Sequence, residues 1–150
     1  MSSKVDDIEI LYRFRKLRLL KIHYAPLNGR YPLLHNFPLL QYLSLNGMNW
    51  LKLDLEVLER LPLLIELHLR DIQLLTGNIN SVRVLKDTLE SIDIYFCPDI
   101  EGNFMDLADF PHLTMLYLGL FDVHVSGDVR DIGGNDFPEL KMLQLTDRIY

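Results

Sequence analysis

The feature that most constrains this chain is a short apolar pattern that recurs six times at nearly constant spacing. Each copy begins with a leading residue, usually a large apolar one, and continues with apolar residues three, six and eight positions later. The leading residues are 23, 24, 25, 24 and 27 residues apart, at Phe14, Phe37, Leu61, Lys86, Phe110 and Phe137. A fixed period of this kind predicts a repeat architecture in which each unit contacts only its neighbours.

The last part of each copy alternates between apolar and polar residues. Leu43-Ser44-Leu45 and Ile92-Asp93-Ile94 are examples, and this alternation predicts a short strand with one buried face. Single strands of this length are not stable alone, but stacked in parallel they bury a shared core. The sequence therefore predicts an α/β solenoid of about six coils over residues 14–150, with coils starting near 14, 37, 61, 86, 110 and 137.

The segments that return from one strand to the next carry a second signal. Four of them have a glycine with apolar residues two positions away on each side, at 27–31, 75–79, 100–104 and 125–129. We expect glycine to supply the positive φ of a tight outward turn. Short helical or 3₁₀ turns are expected to follow, one capped by Asn80 and one beginning near Asp54. Lys86 is expected to leave the core.

The pattern L-x-x-L-x-L, as in Leu40–Leu45 and Leu64–Leu69, resembles the leucine-rich repeat family. The glycine-containing returns are similar to those of its plant-type subclass. The resemblance implies a curved solenoid with a parallel sheet on its concave side and a role in protein recognition. It also implies a stack of phenylalanines inside the coils, which would be Phe14, Phe37, Phe110 and Phe137. The asparagine ladder of the family is missing, because only Cys97 matches the Asn-or-Cys position.

The two ends of the predicted solenoid raise separate questions. Residues 1–13 are expected to form an N-terminal cap or a partial coil, either as a strand-like segment or as a helix beginning at Ser3. The sequence stops five residues after Leu145, which leaves no room for a C-terminal cap. Either a partner covers this edge or the chain is a fragment of a longer repeat array.

Charge is distributed unevenly along the chain. Residues 1–50 carry a net charge of +4 and residues 51–150 a net charge of −10, for a total of −6. The acidic body argues against general nucleic-acid binding. No run of eighteen residues lacks charge, so no membrane span is expected. The first residues lack the apolar core of a signal peptide, which favours a cytoplasmic or nuclear location unless a leader has been removed.

The sequence contains no recognisable motif for catalysis, cofactor binding or metal binding. The five histidines are scattered, and the single cysteine, Cys97, is expected to be an inert core thiol. The acidic run over Asp128, Asp131 and Asp136 lacks the ligand spacing of a calcium loop, so a solvated turn is expected. Phosphate-binding, dinucleotide-binding and hydrolase motifs are absent. We therefore expect no enzymatic activity, no cofactor and no metal.

Residues that would point outward from the sheet suggest a protein-binding patch. Aromatic anchors beside an arginine and a polar rim are typical of binding hot spots. The candidate residues are His68, Arg70, Asp93, Tyr95, Phe96, Met115, Tyr117 and Leu120. We expect an adaptor or recognition module that binds a protein through its concave face. The alternatives are a subunit of a multi-protein assembly with covered solenoid ends, a fragment of a larger leucine-rich repeat receptor, and head-to-tail self-association of a basic first coil with acidic last coils.

Overall fold

The structure, a computed structural model, describes residues 11–25, 34–119 and 124–146. Along these residues short strands alternate with short 3₁₀ helices, and every strand belongs to one of two parallel sheets. The architecture is therefore the predicted α/β solenoid. Most of the predicted cap at 1–13, the return at 27–31 and Leu120 lie outside the described residues.

The larger sheet has six parallel strands, one from each coil. They are β1 (Leu19–His23), β2 (Tyr42–Asn46), β4 (Glu66–Arg70), β6 (Ser91–Tyr95), β8 (Met115–Gly119) and β10 (Met142–Thr146). Equivalent residues of the repeat pair with each other, so that Leu43 aligns with Leu67 and Leu67 with Ile92. The six strands predicted from the alternating pattern are thus confirmed, and their even register comes from the constant length of the repeat.

The returns contain a second, smaller sheet that the sequence pattern did not predict. Its four parallel strands are β3 (Leu53–Asp54), β5 (Leu75–Asn78), β7 (Asp99–Asn103) and β9 (His124–Ser126). Gly77, Gly102 and Gly127 have positive φ, as expected, but Gly77 and Gly102 lie within these strands and Gly127 directly follows β9. The prediction of a turn was wrong at Gly77 and Gly102, because both pair in parallel with the next coil.

Most of the 3₁₀ helices on this side begin with an Asp or Asn cap. The helices are Leu34–Asn36, Leu55–Arg60, Ile79–Leu85, Phe104–Leu107 and Val129–Asp131. Asp54, Asn78, Asn103 and Asp128 each accept a hydrogen bond from the backbone N–H two residues later. The helical turn predicted to begin near Asp54 is confirmed, with Asp54 as its cap, whereas the cap of the third coil is Asn78 and not Asn80.

These caps also explain where glycine is required. Gly102 of one coil lies against the capping side chain of the coil before it, and a Cβ at Gly102 would lie 2.5 Å from Asn78 Oδ1. Gly77 lies in the same way against Asp54. The repeated caps therefore stack next to the glycines of the following coil. They satisfy helix N–H groups on this side, although the family's asparagine ladder is missing.

The core lies between the two sheets and the 3₁₀ helices. In β2, β4, β6 and β8 the second and fourth residues are buried together with Phe37, Leu61 and Phe110 from the coil heads. In the fourth coil the buried head residue is Leu85, one position before Lys86. The Lys86 ammonium pairs with Asp109 at 2.6 Å instead, as expected for a lysine that leaves the core.

The first coil departs from the expected phenylalanine stack. Phe14 is 46 % exposed, while Phe37, Phe110 and Phe137 are buried. Tyr12 instead packs its ring against Phe37, with centroids 5.9 Å apart. Including Phe14 in the stack was wrong, because Phe14 precedes β1, the edge strand of the described sheet, and stays exposed. In the described ranges, no helix is long and apolar enough to cross a membrane.

Candidate protein-binding face

The outward face of the larger sheet carries the first, third and fifth residue of each strand, because alternate residues point away from the core. Strand register places these residues in three rows across the coils. The rows are Leu19, Tyr42, Glu66, Ser91, Met115, Met142; Lys21, Ser44, His68, Asp93, Tyr117, Gln144; and His23, Asn46, Arg70, Tyr95, Gly119, Thr146. The candidate residues within the strands therefore all share one face, as predicted.

A buried carboxylate organises the centre of this face. Arg70 Nε donates a hydrogen bond of 2.7 Å to Asp93 Oδ2, and Arg70 Nη2 donates to the same oxygen. His68 Nδ1 lies 3.4 Å from that oxygen, and His68 Nε2 lies 3.3 Å from Glu66 Oε2. Asp93 is only 1 % exposed. The Arg70 and His68 side chains that bind Asp93 also cover it. The buried carboxylate therefore holds these two side chains in place on the outward face.

The pKa values of this cluster follow from these contacts. The hydrogen bond to Asp93 raises the pKa of His68 above its ordinary value, against the opposing effect of burial. Burial raises the pKa of Asp93, but the hydrogen bonds from His68 and Arg70 outweigh it and leave that pKa below its ordinary value. The cluster therefore favours an ionised Asp93 and a protonated His68.

Aromatic rings continue the face from this cluster toward the last coils. The Arg70 guanidinium lies over the Tyr117 ring, with its carbon 5.6 Å from the ring centroid. The Tyr95 ring lies 5.3 Å from that of Tyr117 and 4.1 Å from that of Phe96. Gly119 makes this arrangement possible, because a Cβ there would overlap the Tyr95 ring. Cation–π and edge-to-face contacts of this kind hold the rings in fixed positions.

Most of the predicted residues meet at this place. Arg70, Asp93, Tyr95 and Tyr117 form one connected group across strands β4, β6 and β8, which Phe96 joins through its ring. Met115 and His68 border a depression beside this group. The expectation that Asp93 would be part of an exposed rim was wrong, because Arg70 and His68 cover it.

Sequence reasoning missed three neighbours of these residues. Tyr42 stacks on His68 with ring centroids 5.2 Å apart, and Glu66 contacts the same imidazole. Tyr24, 72 % exposed, follows the first strand and packs over Gly47. The first row of the strand register could have revealed Tyr42 and Glu66, whereas the importance of Tyr24 depends on a backbone conformation that the pattern does not indicate.

Two adjacent depressions extend along the face. One, of about 440 Å³, is lined by Tyr24, Asn46, Arg70, Asp71, Tyr95 and Phe96. The other, of about 280 Å³, crosses the strands from β1 to β8 and includes Lys21, His68 and Met115. Arg70 and Asn46 border both depressions. The face is thus grooved across the first five coils, with Arg70 at the junction.

The remaining chemically reactive groups do not assemble into a site in the part of the chain that the structure describes. Burial raises the pKa of the Cys97 thiol to about 12, and its sulfur lies 3.4 Å from the carbonyl oxygen of Tyr95. A thiol with so high a pKa stays protonated and is a poor nucleophile. Among the described residues no three His, Cys, Asp or Glu side chains come together as metal ligands would.

No known protein-family profile matches the chain, and no curated protein matches its sequence. Among solved structures, the crystal structure of an internalin from Listeria monocytogenes aligns with 98 % of this chain, with a TM-score of 0.50 and 18 % sequence identity. The chain has the leucine-rich-repeat fold. It spans about half of the internalin chain, 52 %. At this identity the likeness establishes the fold of the leucine-rich-repeat solenoid and nothing about its partners.

Proposed function

We propose that this leucine-rich-repeat solenoid is a non-catalytic interaction module that binds a protein partner through the outward face of its larger sheet. The observation that carries the proposal is the group around Arg70. A buried carboxylate, Asp93, holds the guanidinium in place, and the rings of Tyr95 and Tyr117 lie beside it. Fixed aromatic and arginine side chains lose little entropy on binding and are the residues that dominate protein interfaces.

The test removes the rings and leaves the strands intact. We expect the double substitution Tyr95→Ala and Tyr117→Ala to abolish capture of partner proteins from an extract of the producing cells. A matched control replaces Leu63 and Val84 by alanine, two exposed apolar residues outside the three rows. Proteins retained by the control and lost by the double variant are the partners. Undiminished capture by the double variant, with its thermal unfolding temperature preserved, would contradict the proposal.

A second candidate function is a structural subunit whose solenoid end is covered by a neighbour. The favouring observation is the last coil, in which Met142 and Leu143 are exposed although the repeat makes Leu143 a core residue. Light scattering at low and high salt separates the two functions. A monodisperse monomer supports the interaction module, whereas aggregation that co-expression with a partner cures supports the subunit.

Two finer assignments belong with these proposals. The glycine-containing returns support a relation to the plant-type subclass, and the exposure of Leu143 also fits a part of a larger leucine-rich-repeat receptor. We propose that the module is located in the cytoplasm or nucleus. Fractionation of the producing cells, with an antibody against the chain for detection, tests this location. Recovery in a secreted or membrane fraction would contradict that placement.

A further inference from the structure

The larger depression is a groove at the carboxyl ends of four adjacent strands. Tyr24 follows β1, Asn46 ends β2, Arg70 ends β4 and Tyr95 ends β6. Tyr24 therefore stands on one side of the groove, and the Tyr95–Phe96 pair stands on the other. Three strand spacings separate β1 from β6, about 14 Å, which is wide enough for an extended segment carrying a side chain between the rings.

Positive φ recurs around this groove at the residue that directly follows each of four adjacent strands, so it belongs to the repeat. Tyr24, Asp71 and Phe96 have φ of 54°, 50° and 53°, and they account for three of the four non-glycine residues with positive φ in the described ranges. Gly47 occupies the same position after β2 with φ of 65° and without strain. Bulky residues seldom adopt this conformation, and here it sets the direction in which the side chains of Tyr24 and Phe96 leave the backbone.

The aromatic walls rest directly on backbone. The Tyr24 ring covers Gly47 and the Tyr95 ring covers Gly119, so a Cβ at either glycine would overlap the ring. Each wall is thereby fixed before any partner arrives. Preorganised aromatic surfaces bind with little loss of side-chain freedom, which favours an aromatic or other flat apolar side chain as the group between them.

The residues that line the groove between the Tyr24 and Tyr95–Phe96 rings provide both hydrogen-bond donors and acceptors. Arg70 is positive and is held by Asp93, while Asp71 is negative and accepts a hydrogen bond of 3.0 Å from Gln73 Nε2. The Asn46 amide can both donate and accept. A lining of this composition suits the alternating N–H and C=O groups of an extended backbone, and it does not by itself select a charged group.

A basic coil lies beside the groove on its Tyr24 side. Residues 11–25, the described part of this first coil, contain five basic residues and no acidic one, and four of the five precede β1, at the opposite end of the strand from the groove. Lys21 of this coil is exposed on the outward face beside the second depression. Carboxylates that approach the first coil would be attracted, and basic groups would be repelled.

We propose that the groove binds an extended segment of a partner protein in which an aromatic side chain enters between the Tyr24 and Tyr95–Phe96 walls. Carboxylates on one side of that aromatic residue contact the basic first coil. This inference rests on the proposed function, because it names the chemistry of the partner for the same face. It adds Tyr24 and Lys21 to the binding surface.

The test uses random twelve-residue peptides displayed on phage and selected on the full chain at low salt. We expect selected peptides to combine an aromatic residue with two or more Asp or Glu residues on one side of it. A selected peptide is then synthesised with a fluorophore, and its dissociation constant is measured by fluorescence anisotropy. The affinity should fall with added salt, because the acidic flank interacts with exposed charges.

Two variants separate the two halves of the recognition. Tyr24→Asn removes one wall while keeping a residue that tolerates positive φ, and it should weaken binding by about tenfold or more, as loss of a hot-spot ring does. Lys21→Glu leaves the wall intact, and it should weaken binding and remove most of its salt dependence. Val84→Ala, an exposed substitution on a 3₁₀ helix outside the larger sheet, is the control and should bind as the unmodified chain does.

Several results would overturn the inference. These are selection of basic or proline-rich peptides, selection of peptides without aromatic residues, binding unaffected by Tyr24→Asn, or no enrichment at all. Its failure is distinguishable from failure of the proposed function. If Tyr95→Ala with Tyr117→Ala still abolishes partner capture, the face binds a protein and only the chemistry assigned to the partner is wrong.

Discussion

Leu116 and Leu143 hold the same place in consecutive coils, but their surroundings differ. Leu116 in β8 is fully buried, whereas Leu143 in β10 is 38 % exposed. Both residues face inward and pair with each other in the parallel register. The difference is that β8 has a strand on each side and β10, at the edge of the described sheet, has one.

The repeat motif determines whether each side chain faces the core, and the neighbouring coil determines how much of that side chain is buried. A leucine buried completely stabilises a fold by about 2 kcal/mol relative to an exposed one. The central coils gain this stabilisation from both neighbours. The last coil has the same sequence pattern and gains it from one, so stability should decline toward β10.

The largest expected effect compares these two leucines directly. Leu116→Ala should lower the free energy of unfolding by about 3 kcal/mol, because it removes buried methyl groups and leaves a cavity. Leu143→Ala should lower it by about 1 kcal/mol or less, because water already reaches that side chain. Urea unfolding followed by circular dichroism measures both. Equal losses would show that burial by the neighbouring coil is not what distinguishes the positions.

The glycines provide a second comparison, between a stacked position in the fourth coil and an open position in the fifth. Gly102→Ala forces a Cβ toward Asn78 Oδ1 and Ile79 at φ of 117°, and it should cost about 2 kcal/mol of unfolding free energy. Gly134→Ala, where a Cβ would meet nothing within 4 Å, should change stability little. The same urea titration applies. A neutral Gly102→Ala would argue that the stacked caps do not constrain this backbone.

The side chains that cap the 3₁₀ helices allow a third comparison between coils. Asn78→Ala should cost about 1 kcal/mol, because the backbone N–H of Asn80 loses its acceptor. Asn80→Ala removes an exposed amide that caps no helix, and it should have almost no effect. Asp128→Ala in the fifth coil, whose helix Val129–Asp131 buries no residue, should cost less than Asn78→Ala. If Asn80→Ala proves the more damaging substitution, the third helix begins two residues later than the structure shows.

The smallest expected effect concerns pH and the ionic cluster of the third and fourth coils. The folded pKa of His68 is raised above its ordinary 6.5, so its stabilising contribution is fully present below that value. The contribution is lost as pH rises through the folded pKa. The difference in Tm between the unmodified chain and His68→Gln should therefore shrink between pH 5 and pH 9. A difference that grows with pH would have the wrong sign for this cluster.

The architecture was predictable from the sequence because the larger sheet depends on one local rule repeated six times. Apolar residues at constant spacing place Leu43, Leu67 and Ile92 side by side whatever the intervening residues are. The smaller sheet was not predictable in this way. Two of its strands contain glycine, which usually predicts a turn, and only pairing between coils reveals that Gly77 and Gly102 belong to strands.

The sequence was sufficient to assign the candidate-site residues to rows on one face of the sheet. It was not sufficient to predict how deeply each side chain is buried. Alternation was sufficient to place Arg70, Asp93 and Tyr117 on one face. The burial of Asp93 depends on the side chains of neighbouring coils folding over it, which no single-strand pattern records. The groove beside Tyr24 depends on positive φ at residues that seldom adopt it. Side-chain rotamers and backbone outliers of this kind arise only in the assembled stack.

Native-state hydrogen exchange measures the stacking of coils most directly, because it reports the opening free energy of each hydrogen-bonded backbone amide. The account predicts protected amides that recur about every two dozen residues, with the slowest exchange in β4 and β6 and the fastest, among the strands of the larger sheet, in β10. Exchange that is equally slow in β10 and β6 would contradict it, as would protection without that period.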